Sequence, residues 1–174
     1  MAMMESVGIP VIKDSGKQRE FGTGAIRDFA EGKGRCDLLP LEEVAELLPS
    51  DTIKHLAQLS KEPTNVNHIY AALRSFADEI KLPLETLMIE ASKQYEGGAQ
   101  KYGENNWKNG MPCWVFLDCG VRHYLKWRRG DKDEPHDRAF LWNMLGLAWT
   151  IKNLPELNTL GKAYQKSRVL SERL

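Results

Sequence analysis

The sequence predicts an all-α fold, a helical bundle preceded by an irregular N-terminal arm. Apolar side chains recur at three- and four-residue spacing in successive segments between Leu41 and Ile151, the period of helices with one buried face. No stretch sustains the alternation of apolar and polar residues, with β-branched side chains, that a half-buried strand needs. Prolines fall between the periodic segments, where they start or stop helices without breaking them.

Residues 1–40 are rich in glycine and show no sustained period, so they read as an irregular arm. Within it, 23–28 and 32–40 mix glycines with charges of both signs, as a loop laid over a polar site would. Leu41, Val44, Ala45, Leu47 and Leu48 mark a first helix, broken at Pro49 and Ser50. Asp51 is the expected N-cap of a second, running to Ser60. Thr64 is the expected cap of a third, with Val66, Ile69, Tyr70, Leu73, Phe76, Ala77 and Ile80 on one face. Pro83 suits the first turn of a fourth, whose stripe is Leu84, Leu87, Met88, Ala91 and Tyr95, with Gly97 and Gly98 loosening or ending it.

Pro112 opens a fifth helix, carrying Val115, Leu117, Val121, Tyr124 and Leu125, and Gly130 closes it. The span 139–151 is the most apolar of all and is expected to be the buried central helix. Pro155 ends it. The expected organisation is an arm at 1–40 that contributes to a site, a helical domain at 41–155 and a polar tail at 156–174.

Composition narrows the function. Lysine and arginine total 24 and aspartate and glutamate 24, so no basic excess argues for wrapping nucleic acid. Any anion site must come from local clustering. No apolar run approaches the ~20 residues of a membrane span, and no basic-then-apolar leader opens the sequence; a cytoplasmic protein is expected. Cys36, Cys113 and Cys119 are an odd set without Cys-x-x-Cys spacing, which favours free thiols over disulfides or zinc.

Aromatic, amide, cationic, imidazole and acidic groups crowd into about forty residues, from Lys101-Tyr102-Gly103-Glu104-Asn105-Asn106-Trp107 through Arg122-His123 to Asp131–Glu134 and His136. Asp118, Arg122, Lys126 and Arg129 share one helix face by their spacing, and three cations there could grip a polyphosphate. Such a stripe is also what a solvated, ion-paired face looks like. His123 reads as core, ligand or general base. The turn 131–137 offers oxygen ligands and an imidazole of the kind magnesium or manganese takes, although Asp137 suits a capping role better. Asn143, about two turns after His136, needs a partner in an apolar helix and is either a structural amide or a base-reading one.

Taken in order, Gly32-Lys33-Gly34-Arg35 with Asp37-Leu38-Leu39-Pro40, Gly98–Gly103 with Asn105-Asn106-Trp107 and Gly110, Arg122-His123, the Gly130-Asp131 turn, and Pro135-His136 before Trp142-Asn143 resemble the phage and bacterial dATP/dGTP diphosphohydrolase-like family. That family is related to the all-α nucleoside-triphosphate pyrophosphohydrolases of the MazG type. The resemblance runs from about Thr23 to Ile151, and the Lys-Tyr-Gly with Asn-Trp block is its most specific part. It implies an all-α, homo-oligomeric enzyme, dimeric or tetrameric, that uses Mg2+ or Mn2+ to hydrolyse dGTP or dATP to the monophosphate and pyrophosphate, in phage nucleotide metabolism. It also implies that 41–155 is catalytic and 49–82 an inserted helical segment.

On that reading the metal ligands are Glu96, Asp118, Asp133 and His136. Lys101, Arg122, Lys126 and Arg129 hold phosphate charge, with Lys33 and Arg35 joining from the arm. Trp107 or Tyr102 stacks on the purine, Asn105, Asn106 or Asn143 bonds its edge, and a carboxylate or His123 takes the proton of the attacking water.

The sequence departs from the wider superfamily in one respect. The usual Glu-x-x-Glu and Glu-x-x-Asp pairs on adjacent helices have no second member at the buried helix, and the only tidy first pair is Glu43 with Glu46. Family members often carry two histidines near His136, where this chain has Ala139. Two alternatives stay open: a His-Asp-type nucleotide phosphohydrolase, invited by His123 and His136-Asp137 but lacking any aspartate after Asp137, and a non-catalytic nucleotide-binding helical protein.

Overall fold

The computed structural model describes residues 16–29 and 32–161. The rest of the expected arm and residues 162–174 of the expected tail lie outside the described residues. Six helices carry the fold: α1 (Leu41–Leu47), α2 (Asp51–Ala57), α3 (Asn67–Ile80), α4 (Leu84–Tyr102), α5 (Cys113–Arg129) and α6 (His136–Asn153). Ahead of them, β1 (Gln18–Glu20) and β2 (Ile26–Asp28) form an antiparallel hairpin with Gln18 opposite Asp28 and Glu20 opposite Ile26. The described residues are all-α apart from this hairpin.

At the centre, α5 packs along α6, and α4 packs on the other side of α6. Phe140, Leu141, Met144 and Leu147 of α6 are completely buried, as expected for the most apolar segment. Two glycines set how closely α5 and α6 approach. A Cβ at Gly120 would strike the Met144 methyl, and one at Gly146 would stand 2.5 Å from the Phe116 ring. From α3, Phe76 inserts between them, with its ring centroid 4.7 Å from Phe140 and 4.8 Å from Trp127.

A polar knot ties α2 and α3 to this pair. Tyr124 of α5 donates to Glu79 at 2.6 Å, and the Thr52 hydroxyl donates to the same carboxylate at 2.7 Å. Ser50 donates to it as well and accepts from the Ile53 amide at 3.1 Å. Ser50, not Asp51, is therefore the N-cap of α2, because only its hydroxyl reaches back into the first turn. Nor does Thr64 cap α3, which starts at Asn67 without a side-chain cap bond.

The glycine pair does not end α4. The helix runs through Gly97 and Gly98 to Tyr102; packing against α6 outweighs the roughly 1 kcal/mol that each helical glycine costs. Gly130 closes α5 at φ 88°, as the sequence predicts, in the left-handed region where glycine carries no Cβ penalty. Leu154 caps α6, and Pro155 begins a 3-10 turn, Pro155–Leu157. Asp137 lies in the first turn of α6 and makes no cap bond. It can favour that helix only through the dipole.

Replacing Gly146 with alanine is expected to lower unfolding free energy by ~1–3 kcal/mol, since the rigid Phe116 ring must move. Urea denaturation with an unchanged m-value would register it.

Candidate active site

A cavity of about 730 Å³ opens between β2, α4, the 3-10 turn Asn106–Asn109, α5 and α6. Its walls exist because the arm is clasped to the helices by side-chain amides and ion pairs. Asn106 acts toward β2 as a neighbouring strand would: its carbonyl accepts from the Ile26 amide at 2.9 Å and its NH2 donates to the Ile26 carbonyl at 2.9 Å. Asn143 accepts from Arg27 at 2.8 Å and donates to the Ala139 carbonyl at 2.7 Å. Asp28 accepts from Lys101 at 2.8 Å and from the Tyr102 hydroxyl at 3.2 Å. Burial works against the Lys101 charge, but the bonds to Asp28 and Tyr102 outweigh it and raise its pKa.

The segment 34–37 is held separately. Asp118, only 1% exposed, accepts two bonds from Arg122 at 2.5 Å and one from the Cys36 amide at 2.7 Å. Arg122 also donates to the Gly34 carbonyl at 2.7 Å. Arg35 pairs with Asp37 at 2.6 Å and stacks 3.7 Å above the Trp114 ring.

Part of the cavity lining is aromatic. Tyr95, Trp107 and Trp142 form a tilted cluster, with Tyr95 5.8 Å from Trp107 and 6.1 Å from Trp142 between ring centroids. Burial pushes the Tyr95 hydroxyl up to about 12, so it stays protonated. Another part is ionic. His123 Nδ1 lies 3.0 Å from His136 Nδ1, and His136 Nε2 lies 2.8 Å from an Asp133 oxygen. Glu134 is 3.8 Å from His123 and 3.7 Å from His136. Lys126 reaches Asp133 at 3.3 Å. Burial first, then the charges of Arg27, His136, Arg122 and Lys126, hold His123 well below the ordinary imidazole value. The shift favours the uncharged ring, whose free nitrogen lone pair can meet a metal ion.

Many of the residues expected from sequence converge on this cavity. Lys33, Tyr102, Asn105, Asn106 and Trp107 line it, as do Arg122, His123, Lys126 and Asn143, together with Glu96 and Asp133 of the expected ligand set. His136 stands behind His123, 2% exposed. Lys101, Arg35, Arg129 and Asp118 lie outside the lining; each is in an ion pair, with Asp28, Asp37, Asp131 and Arg122 in turn. Glu43 and Glu46 are exposed on α1. Cys36, Cys113 and Cys119 are free thiols, as expected.

Two sets of three donors lie close enough to hold a metal ion, with ligand atoms within 4.8 Å of one another: His123, Glu134 and His136, and Asp131, Asp133 and His136. Imidazoles with carboxylates suit a divalent cation. Asp133 and His136 belong to these sets; Glu96 and Asp118 do not.

Sequence reasoning missed Arg27 and Glu134 as individual site residues. Arg27 lines the cavity, lies 5.0 Å from the Trp142 ring centroid, and leaves one guanidinium nitrogen buried without a partner. Its signal was the mixing of glycines and charges at 23–28.

These elements define an all-α protein whose cavity joins an aromatic pocket to a cluster of cations, imidazoles and carboxylates. Residues 77–159 match the family model described as dATP/dGTP diphosphohydrolase, N-terminal, which supports the resemblance and hydrolase character in general. The match covers α4, α5 and α6 but not the arm. No curated protein and no solved structure matches the chain. Among the described residues, no helix is long and apolar enough to cross a membrane.

Asn106→Ala leaves both polar groups of Ile26 without their side-chain partners, an effect of about 1–3 kcal/mol per buried group. Limited proteolysis is expected to cut 16–29 at least several-fold faster in this variant, with helical circular dichroism unchanged.

Proposed function

We propose that the protein hydrolyses purine deoxynucleoside triphosphates, dGTP or dATP, to the monophosphate and pyrophosphate with a divalent ion. The observation that carries this reading is one cavity whose lining joins aromatic rings and amides to cations, imidazole and carboxylates, most of it from the segment matching the diphosphohydrolase family. A purine fits the aromatic part, because aromatic faces grip a base plane and the exposed Asn105 amide can bond its edge. Asn106 and Asn143 are engaged in holding the arm, which leaves them less free to read a base.

The polyphosphate belongs at the ionic part of the lining. Arg27 and Lys33 line the cavity and supply positive charge that draws in and fixes a triphosphate, joined by Arg122 and Lys126, whose charges are shared with Asp118 and Asp133. A magnesium or manganese ion held around His136 would polarise the phosphoryl group and lower the pKa of a bound water. Glu96, exposed in the α4 wall and outside both three-donor groups, would take that water's proton instead of binding the ion. Closing the arm over the cavity excludes bulk water and strengthens each of these contacts.

The same reading places the enzyme in the cytoplasm, that of the host if phage-encoded, as a homo-oligomer, with Leu47 81% and Ile89 65% exposed as apolar contact residues. The meeting of His123 and His136 at 3.0 Å keeps the His-Asp-type phosphohydrolase as the second reading.

Product analysis by phosphorus NMR separates them. Pyrophosphate and dGMP or dAMP are expected; tripolyphosphate with free deoxynucleoside would assign the second reading, and binding without turnover a non-catalytic protein. Glu96→Gln is expected to lower kcat by about 10²-fold or more with KM changed only a few-fold, as steady-state kinetics would show.

A further inference from the structure

We infer that His123, His136 and Glu134 form a two-histidine, one-carboxylate site that selects a first-row transition ion of the manganese-to-zinc class over magnesium. The three atoms, His123 Nδ1, His136 Nδ1 and Glu134 Oε1, are separated by 3.0, 3.7 and 3.8 Å. The point equidistant from such a triangle lies about 2.0–2.1 Å from each corner, the length of a metal–imidazole or metal–carboxylate bond. An ion near that point is within bonding distance of all three donor atoms.

The second ring nitrogen of His136 is already committed. Nε2 lies 2.8 Å from Asp133, the carboxylate–histidine–metal relay that fixes the ring and leaves Nδ1 free to coordinate. Lys126, at 3.3 Å from Asp133, partly balances that carboxylate. His136 itself is 2% exposed, so its ring is held on every side.

Ligand chemistry decides the ion. Magnesium takes oxygen donors and keeps much of its water, whereas imidazole suits zinc, iron and nickel, and manganese binds such a mixed nitrogen–oxygen site more weakly than they do. No thiolate joins the set, since Cys36 and Cys119 belong to neither three-donor group. Arg27, Arg122 and Lys126 lie near enough for their charges to act on His123, and that charge opposes the cation until an anionic triphosphate neutralises it. Ion and triphosphate should therefore bind with positive coupling, each strengthening the other by the same factor.

The inference rests on the proposed function only for the role of the ion, not for its presence. Titration calorimetry of the full chain with MnCl2 and MgCl2, with and without a non-hydrolysable dGTP analogue, gives the affinities; pulsed paramagnetic resonance of bound Mn2+ reads nitrogen ligation. Mn2+ is expected to bind one site per chain at least tenfold tighter than Mg2+, with coupling to two imidazole nitrogens. Glu134→Gln, which keeps shape at a half-buried position, is expected to weaken Mn2+ at least tenfold, and His123→Gln to remove one nitrogen coupling. Equal or tighter Mg2+ binding, no nitrogen coupling, or unchanged Mn2+ affinity in Glu134→Gln overturns the site. A chain that binds Mn2+ as stated yet leaves dGTP and dATP intact overturns the proposed function and leaves this inference standing.

Discussion

The site depends on one constraint: the polar groups of the arm have to find partners, and side chains of α4–α6 and the adjoining 3-10 turn supply them. Asn106 pairs with both polar groups of Ile26, Asn143 with Arg27, Lys101 and Tyr102 with Asp28, and the Asp118–Arg122 pair with the backbone at 34–36. Most of these groups are partly buried, so leaving one unpaired forfeits its bond and leaves part of its desolvation cost uncompensated. That cost fixes where β2 runs and places Arg27 in the cavity wall. Without the clasp, the helices would present an open face; with it, they present one cavity.

The same economy explains why polar residues at the site divide into two kinds. Lys101, Arg35, Arg129 and Asp118 carry charges that are balanced by a named partner within the chain. Arg27 keeps a buried nitrogen without one, and His123 is held neutral among cations. The first kind builds the walls. The second kind is what an anionic, metal-bearing ligand can engage.

The helical fold was legible because each helix buries one apolar stripe, and Ile69, Phe76, Leu87, Val121 and Tyr124 are all buried where the three- and four-residue spacing puts them. Boundaries were less legible. Ser50 rather than Asp51 caps α2, a difference of one residue decided by geometry, and α4 continues through Gly97 and Gly98 because tertiary packing overrides propensity. The hairpin escaped prediction because three-residue strands are too short to show alternation. Within the site, residue types pointed to the right region, but pairing could not be read from spacing. Asp118 and Arg122, four apart, look the same in sequence whether they await a ligand or, as here, hold each other and the arm. Glu134 was hidden in the acidic turn 131–137, which offers several equivalent carboxylates.

The most direct test of this account is hydrogen exchange of the full chain with and without a non-hydrolysable dGTP analogue and Mn2+. Joint protection of the β2 segment 26–28 and of the α5–α6 corner, 122–136, is predicted, because ligand, arm and ionic cluster share one cavity. Protection confined to the helices, with the arm exchanging as in the free protein, would contradict it.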